Sequence, residues 1–150
     1  MGLYQDALDY VFGYVNYERQ SRYLYNAQTF DLSRMVDLLE KLDRQQEQFQ
    51  SVHIAGTKGK GSTSAMVESV LRTAGYHTGL YTSPHLHTFR ERIRVDGQLI
   101  GKRELVDVLH ASMPAIESTP GVTAFEIMTA LGFVYFARQE VDWAVLEVGL

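Results

Sequence analysis

The sequence contains no cysteine, which excludes disulfides, thiolate metal sites and cysteine nucleophiles and suits a reducing cytoplasm. It also lacks any apolar run near the roughly 20 residues that a membrane-spanning helix needs, so a membrane protein is not expected. Positive charge is scarce: 14 Lys and Arg stand against 18 Asp and Glu, for a net charge of −4. A broad nucleic-acid face is therefore not expected, because such binding rests on clustered basic residues that displace counterions from phosphates. The opening residues, Met1-Gly2-Leu3-Tyr4-Gln5-Asp6, carry no basic region followed by an apolar stretch. Asp6 also stands where a myristoylation signal wants a hydroxyl. No internal repeat, low-complexity tract or linker between domains is visible. The expected partner is a small molecule.

What is present reads as one globular domain or a large part of one. With 150 residues, 45% of them hydrophobic, folding can bury roughly two thirds of the unfolded chain's surface. Leu3, Ala7, Leu8, Val11, Phe12 and Val15 recur at helical spacing. Leu32, Met35, Val36, Leu39 and Leu42 do so again behind a cap at Asp31. Between them, residues 16–30 are rich in Tyr and Arg and read as a connection; Tyr14, Tyr17, Tyr23 and Tyr25 are assigned to packing. Residues 51–55 form a first strand, and Ala65, Met66, Val70, Leu71 and Ala74 a helix closed by a left-handed cap at Gly75. Residues 78–82 are a second strand. Residues 93–100 form a hairpin turning at Asp96-Gly97, a pair suited to the two positive φ angles of a type I′ turn. Residues 105–113 are helical. Residues 124–137 are apolar all round the helical wheel, which predicts a helix sandwiched between layers. A strand at 143–148 follows. Strands alternating with helices imply an α/β fold, a mostly parallel sheet flanked by helices, whose ligands collect at the carboxyl ends of the strands. Ala55, Thr82 and Glu147 all fall near such ends.

The chemistry concentrates in His53-Ile54-Ala55-Gly56-Thr57-Lys58-Gly59-Lys60-Gly61-Ser62-Thr63, three glycines, two lysines and hydroxyls set between a strand and a helix. Glycines let backbone N–H groups converge on phosphate oxygens, the helix adds its positive N-terminal end, and a lysine adds a mobile charge. Lys60 is the candidate for contact with the β and γ phosphates. The alternative is a glycine-rich turn capping the helix through Ser62 or Thr63 with no ligand; the strand before and the helix after favour the phosphate loop. Compared with G-x-x-x-x-G-K-[ST], the loop is shorter between Gly56 and Gly59, and Gly61 replaces the hydroxyl that usually holds Mg²⁺. The metal ligands must then come from elsewhere.

This shortened loop resembles that of the Mur ligase superfamily, and G-T-K-G-K-G-S with its inserted glycine is similar to the folylpolyglutamate and dihydrofolate synthase branch. Leu80-Tyr81-Thr82-Ser83-Pro84-His85-Leu86 resembles that family's T-S-P-H-L loop, and Phe89-Arg90-Glu91-Arg92-Ile93 its F-x-E-R-I. Phe125-Glu126 resembles its substrate-helix motif, and Leu146-Glu147-Val148-Gly149-Leu150 the start of its E-V-G-L-G-G. The likeness covers most of the chain from Phe30 onward. It implies a P-loop-containing central domain of the Mur ligase type, incomplete here. Residues 1–150 would be a partial N-terminal ATP-binding domain without the C-terminal glutamate-binding domain, and the end at Leu150, inside a motif, fits part of a longer chain.

The resemblance further implies an ATP-dependent ligase that adds L-glutamate to a folate or dihydropteroate carboxylate through an acyl phosphate. Its cofactors would be ATP and Mg²⁺. ATP would contact Gly56, Thr57, Lys58, Gly59, Lys60, Gly61 and Ser62, with Lys60 catalytic. Ser83 and Glu147 would be the Mg²⁺ ligands, where each alone reads as a turn-former before Pro84 and a solvent-facing strand-end carboxylate. Pro84, His85, Leu86, Thr123, Phe125, Glu126 and Thr129 would contact the pterin and benzoate, although an aromatic such as Phe125 on an apolar helix is usually core. Glu126 needs a polar partner in so apolar a helix. His85 and His87 lack a third ligand spaced for a transition metal and read as loop packing or substrate contacts. Arg90, Arg92 and Arg94 alternate as on a solvated strand face, with attraction of a glutamate tail as the alternative. The rival readings are another Mur-type amino-acid ligase and a non-catalytic nucleotide-binding fragment. The family resemblance points to a monomer, while the last strand, without a later neighbour, invites self-association of the fragment, which alone is expected to be inactive.

Overall fold

A computed structural model describes residues 3–14 and 31–149. Val15, Tyr17, Tyr23, Tyr25 and Leu150 lie outside the described residues. The chain divides into two compact units, one from Met1–Gln45 and Arg103–Val134, the other from Gln46–Lys102 and Tyr135–Leu150.

The first unit is helical. Helix α1 (Tyr4–Phe12) buries Ala7 and Val11, a one-turn repeat on a single face. Helix α2 (Ser33–Lys41) is preceded by Asp31, whose carboxylate accepts the Ser33 N–H at 2.9 Å. That bond holds the Asp31 carboxyl below its ordinary value. The expected apolar stripe of α2 is corrected: Leu38 and Leu42 are buried, whereas Leu32 and Val36 are 76% and 54% exposed. Of the expected five only Leu42 is fully buried, with Met35 and Leu39 half-buried, so the inward face is rotated by about a quarter turn from Leu32. Helix α4 (Lys102–Glu117) runs past the expected end and carries Pro114 inside it. Lys41 Nζ donates to the Ser118 carbonyl at 2.7 Å, supplying a cation to the carbonyl-rich end of α4. Helix α5 (Ala124–Arg138) is buried at Ala124, Ile127, Met128, Ala130, Leu131 and Phe136, as its all-round apolar wheel predicts.

The second unit is built on a five-stranded mixed sheet in the order β1-β5-β2-β3-β4. Strands β1 (Gln50–Ile54), β5 (Trp143–Glu147) and β2 (Thr78–Tyr81) are parallel. Strands β3 (Ile93–Val95) and β4 (Gln98–Leu99) extend the sheet antiparallel. The strand at 143–147 therefore does not lie at an edge: β5 is paired on both sides, and among the described residues the outer strands are β1 and β4. Asp96 and Gly97 turn the β3–β4 hairpin with φ of 48° and 78°, the left-handed pair that a type I′ turn requires. Helix α3 (Lys60–Thr73) lies against β1, β2 and β5. It ends in a Schellman motif: Tyr76 N–H donates to the Leu71 carbonyl and Gly75 N–H to the Arg72 carbonyl, with Gly75 at φ 96°. Thr78 points to α3, its hydroxyl donating to buried Glu68 at 2.7 Å. By strand alternation Gly79 faces the opposite side, where a Cβ would stand 2.8 Å from the ring of Phe136.

Candidate active site

Strands β1 and β5 end in register, Ile54 opposite Glu147, and Tyr81 at the end of β2 lies opposite Leu146. Three segments that carry chemistry therefore leave the sheet at one edge of its parallel part. From β1 the chain enters the phosphate loop and then α3, whose N-cap is Gly59 at φ 75°. A Cβ there would meet nothing within 4 Å, so it is the backbone angle that calls for glycine. Thr63 N–H donates to the Gly59 carbonyl at 2.9 Å and closes the first turn. A glycine N-cap has no side chain to occupy the early N–H groups of the helix, which point toward the loop as an anion cradle. Lys60 Nζ donates to the Gly56 carbonyl at 3.0 Å, so the ammonium curls back across the loop. Thr57, Lys58 and Ser62 are exposed on it.

Glu147 connects this loop to the next. Its Oε2 accepts the Ser83 N–H at 3.2 Å, and its Oε1 lies 3.5 Å from where a Gly61 Cβ would stand. The glycine that replaces the usual hydroxyl thus lies beside a carboxylate to which Ser83 is also joined. One carboxylate and one hydroxyl next to a phosphate cradle fit Mg²⁺, which takes oxygen ligands and relies on few protein groups. In keeping with so sparse a donor set, no cluster of three His, Cys, Asp or Glu occurs among the described residues.

Beyond Ser83 and the cis Ser83–Pro84 bond, the loop carries His85 and Leu86, the latter 84% exposed. Its shape comes from Glu91, whose carboxylate accepts the N–H groups of Leu86 at 3.0 Å, His87 at 2.9 Å and Thr88 at 2.8 Å. The bonds from Leu86, Thr88 and His87, in that order, draw the Glu91 carboxyl down to about 2. The solvated-strand reading of the arginines is corrected here: Phe89–Arg92 is a 3₁₀ turn, and Arg92 is 2% exposed. Arg92 Nε donates to His85 Nδ1 at 2.9 Å, and both groups lie against the ring of Phe89. Arg90 donates to the Ile100 carbonyl and Arg94 to that of Glu91. From sequence, Glu91 has no site role and Arg92 only the alternative of attracting a glutamate tail, yet Thr88-x-x-Glu91 is a capping-box signature that foretells the turn.

In the helical unit, Thr123 and Glu126 form a capping box at the start of α5. Thr123 N–H and hydroxyl donate to Glu126 Oε2 at 2.7 and 2.9 Å, and Glu126 N–H donates to Thr123 Oγ1 at 3.2 Å. Arg34 adds an ion pair at 3.3 Å. The polar partners that Glu126 requires are thus Thr123 and Arg34. Phe125 and Thr129 are half-buried one turn apart, Thr129 Oγ1 donating to the Phe125 carbonyl at 2.9 Å.

No protein-family model matches the chain. It is 37% identical over 153 residues to a dihydrofolate synthase/folylpolyglutamate synthase of Bacillus subtilis, covering 98% of this chain and 34% of that protein. A folylpolyglutamate synthase of Lacticaseibacillus casei is 38% identical over 91% of this chain and 34% of its own length. Among solved structures, the folylpolyglutamate synthase of Thermotoga maritima superposes with a TM-score of 0.85 at 37% identity, over 98% of this chain and 33% of that one. An FPGS–AMPPCP–folate complex does so with a TM-score of 0.85 at 34% identity, over 99% of this chain and 35% of its own. The chain spans about a third of the length of each of these relatives. Over that third, the chain is similar in both sequence and fold to folylpolyglutamate synthases.

Proposed function

We propose that this chain is the ATP-binding part of a ligase that joins L-glutamate to the carboxylate of a folate or dihydropteroate through an acyl phosphate. One observation carries the reading: the Glu147 carboxylate stands between Gly61 of the phosphate loop and Ser83 of the neighbouring loop. Lys60 and the N–H groups of residues 56–62 hold the β and γ phosphates and neutralise charge on the phosphoryl group in transfer. Ser83 and Glu147 hold Mg²⁺, which supplies further neutralisation of that charge when bound. The acceptor's carboxylate oxygen takes the γ-phosphoryl group as the bond to the β-phosphate breaks and ADP leaves, and the amine of glutamate then displaces phosphate from the acyl carbon, its proton passing to solvent. Pro84, His85 and Leu86 contact the acceptor, and the family likeness assigns the same role to Thr123, Phe125, Glu126 and Thr129. Lack of cysteine suits a cytoplasmic setting, and no described helix is long and apolar enough to cross a membrane.

The test uses the complete protein with ATP, Mg²⁺, glutamate and both pterin acceptors. Amide product and stoichiometric phosphate are expected, and Lys60→Ala should lower turnover by about a hundredfold or more with the fold intact. Ser83→Ala should raise the Mg²⁺ concentration needed for half activity more than Ser62→Ala does. The reverse order would remove Ser83 from the metal site, and ATP binding without acceptor-dependent turnover would leave a nucleotide-binding module in place of a ligase.

A further inference from the structure

We infer that Glu68 and Thr78 are positioning residues: their buried hydrogen bond sets helix α3 along strand β2 and so fixes the distance from the phosphate loop to Ser83 and Glu147. This inference rests on the function proposed above and adds to it what keeps the two parts of the site in register.

Consider first what α3 turns toward the sheet. A helix packed on a sheet ordinarily buries an apolar stripe. In α3 the buried residues are Ser64 and Glu68, one turn apart, with Val67 and Leu71 half-buried, whereas Met66 and Val70 are 61% and 69% exposed. Apolar contact is non-directional, so it resists the sliding of a helix along its neighbour less than a directed bond does. Ser64 Oγ has no hydrogen-bond partner among the described residues and supplies no such bond. Glu68 does. Its Oε1 accepts the Thr78 hydroxyl at 2.7 Å and the Arg72 Nε–H at 3.0 Å, both charge-assisted bonds. Thr78 is held in turn by Asp96, whose carboxylate accepts the Thr78 N–H at 2.9 Å.

The place of this bond in the fold gives it leverage. Helix α3 leaves the carboxyl end of β1 and returns the chain to the amino end of β2, so helix and strand run side by side in opposite directions. They are joined at both ends. At one end Glu68 meets Thr78, the first residue of β2. At the other, Glu147 lies 3.5 Å from where a Gly61 Cβ would stand and accepts the Ser83 N–H at 3.2 Å. About two turns of helix, roughly 10 Å, separate Gly61 from Glu68. No proline interrupts that stretch, so a shift of α3 at Glu68 reappears at the phosphate loop, while β2 carries Ser83 independently of it.

The experiment titrates variants of the complete protein with a non-hydrolysable ATP analogue over a range of Mg²⁺ concentrations, with steady-state kinetics beside it. Thr78→Val removes the hydroxyl and keeps the shape. Combining it with Glu68→Leu removes both polar partners and leaves no orphaned carboxylate, so the double variant should melt close to the wild type. It should nevertheless need about fivefold or more Mg²⁺ for half-maximal analogue binding, with the acceptor KM within about twofold. Thr78→Ser keeps the hydroxyl and should bind as the wild type does. A folded double variant with an unchanged Mg²⁺ requirement overturns the positioning role. If the double variant does not fold, equal Mg²⁺ requirements for Thr78→Ser and Thr78→Val overturn it. Analogue binding needs no turnover, so a wild type that binds but forms no amide overturns the ligase reading, and the titration still decides the role of Glu68 and Thr78.

Discussion

Single residues separate the demands of folding from those of chemistry. Gly59 and Gly79 are both glycine for steric reasons, but of different kinds. At Gly59 the backbone is left-handed and the surroundings are open, so Gly59→Ala should cost only the local conformational penalty, about 1 kcal/mol. At Gly79 the added carbon would overlap the ring of Phe136, which is fully buried and has nowhere to go. Gly79→Ala should therefore cost about 1–3 kcal/mol, and a denaturant titration that ranks the two variants in the opposite order would refute this account. Gly61 obeys a third logic. It lies in the first turn of α3, where alanine is the better helix former and a Cβ would make ordinary contact with Glu147. Gly61→Ala should leave stability unchanged or raise it by up to about 1 kcal/mol, while demanding more Mg²⁺ for activity. An unaltered Mg²⁺ requirement would show that the space beside Glu147 is not used by the metal.

Elements show what a sequence discloses and what it withholds. The β3–β4 hairpin was legible because its turn is a local matter: Asp96-Gly97 tolerates two positive φ angles, and the structure uses both. The caps of α2 and α3 were legible for the same reason, as Asp31 and Gly75 act within a few residues of themselves. The inward stripe of α2 was not, because Leu32, Val36 and Leu38 are alike in hydrophobicity and only their neighbours decide which is covered. The site divides similarly. The phosphate loop is contiguous and could be read, and Glu147 beside Ser83 came through family likeness alone, since a pairing across 64 positions leaves no local mark. Arg92 misled because alternation with Arg90 and Arg94 suggested a strand where the chain forms a tight turn. Asp96 has one more consequence. Burial works against its charge, but the Thr78 N–H, followed by His77, outweighs it and holds the carboxyl below its ordinary value. A carboxyl depressed in the fold contributes stability that is present above its unfolded pKa of about 3.9 and disappears as pH falls through the lower folded value. The gap in stability between wild type and Asp96→Asn should therefore be full at neutral pH and shrink on acidification below about pH 4. A gap independent of pH in urea titrations would place the effect elsewhere.

At the scale of the whole molecule, the relatives are about three times as long as this chain, so the 150 residues alone should form no amide product from ATP, Mg²⁺, glutamate and either acceptor. Product formation by the isolated chain would show that a third of the family's length suffices. The sheet order carries a consequence for biosynthesis. Strand β1 shares no ladder with β2; both pair with β5, the latest of the described strands in the sequence. Until Glu147 has emerged, β1 has no partner in its own sheet, whereas the β2–β3–β4 meander can form at once. At about 5–20 residues per second, the stretch between Ile54 and Glu147 leaves β1 waiting on the order of ten seconds, a window in which its unpaired N–H and C=O groups are open to another chain or to a chaperone. The phosphate loop hangs from that strand, so ATP binding should wait until β5 has been made. A ribosome-bound chain stalled with residues 143–147 still inside should fail to retain a nucleotide analogue, and one released past them should capture it.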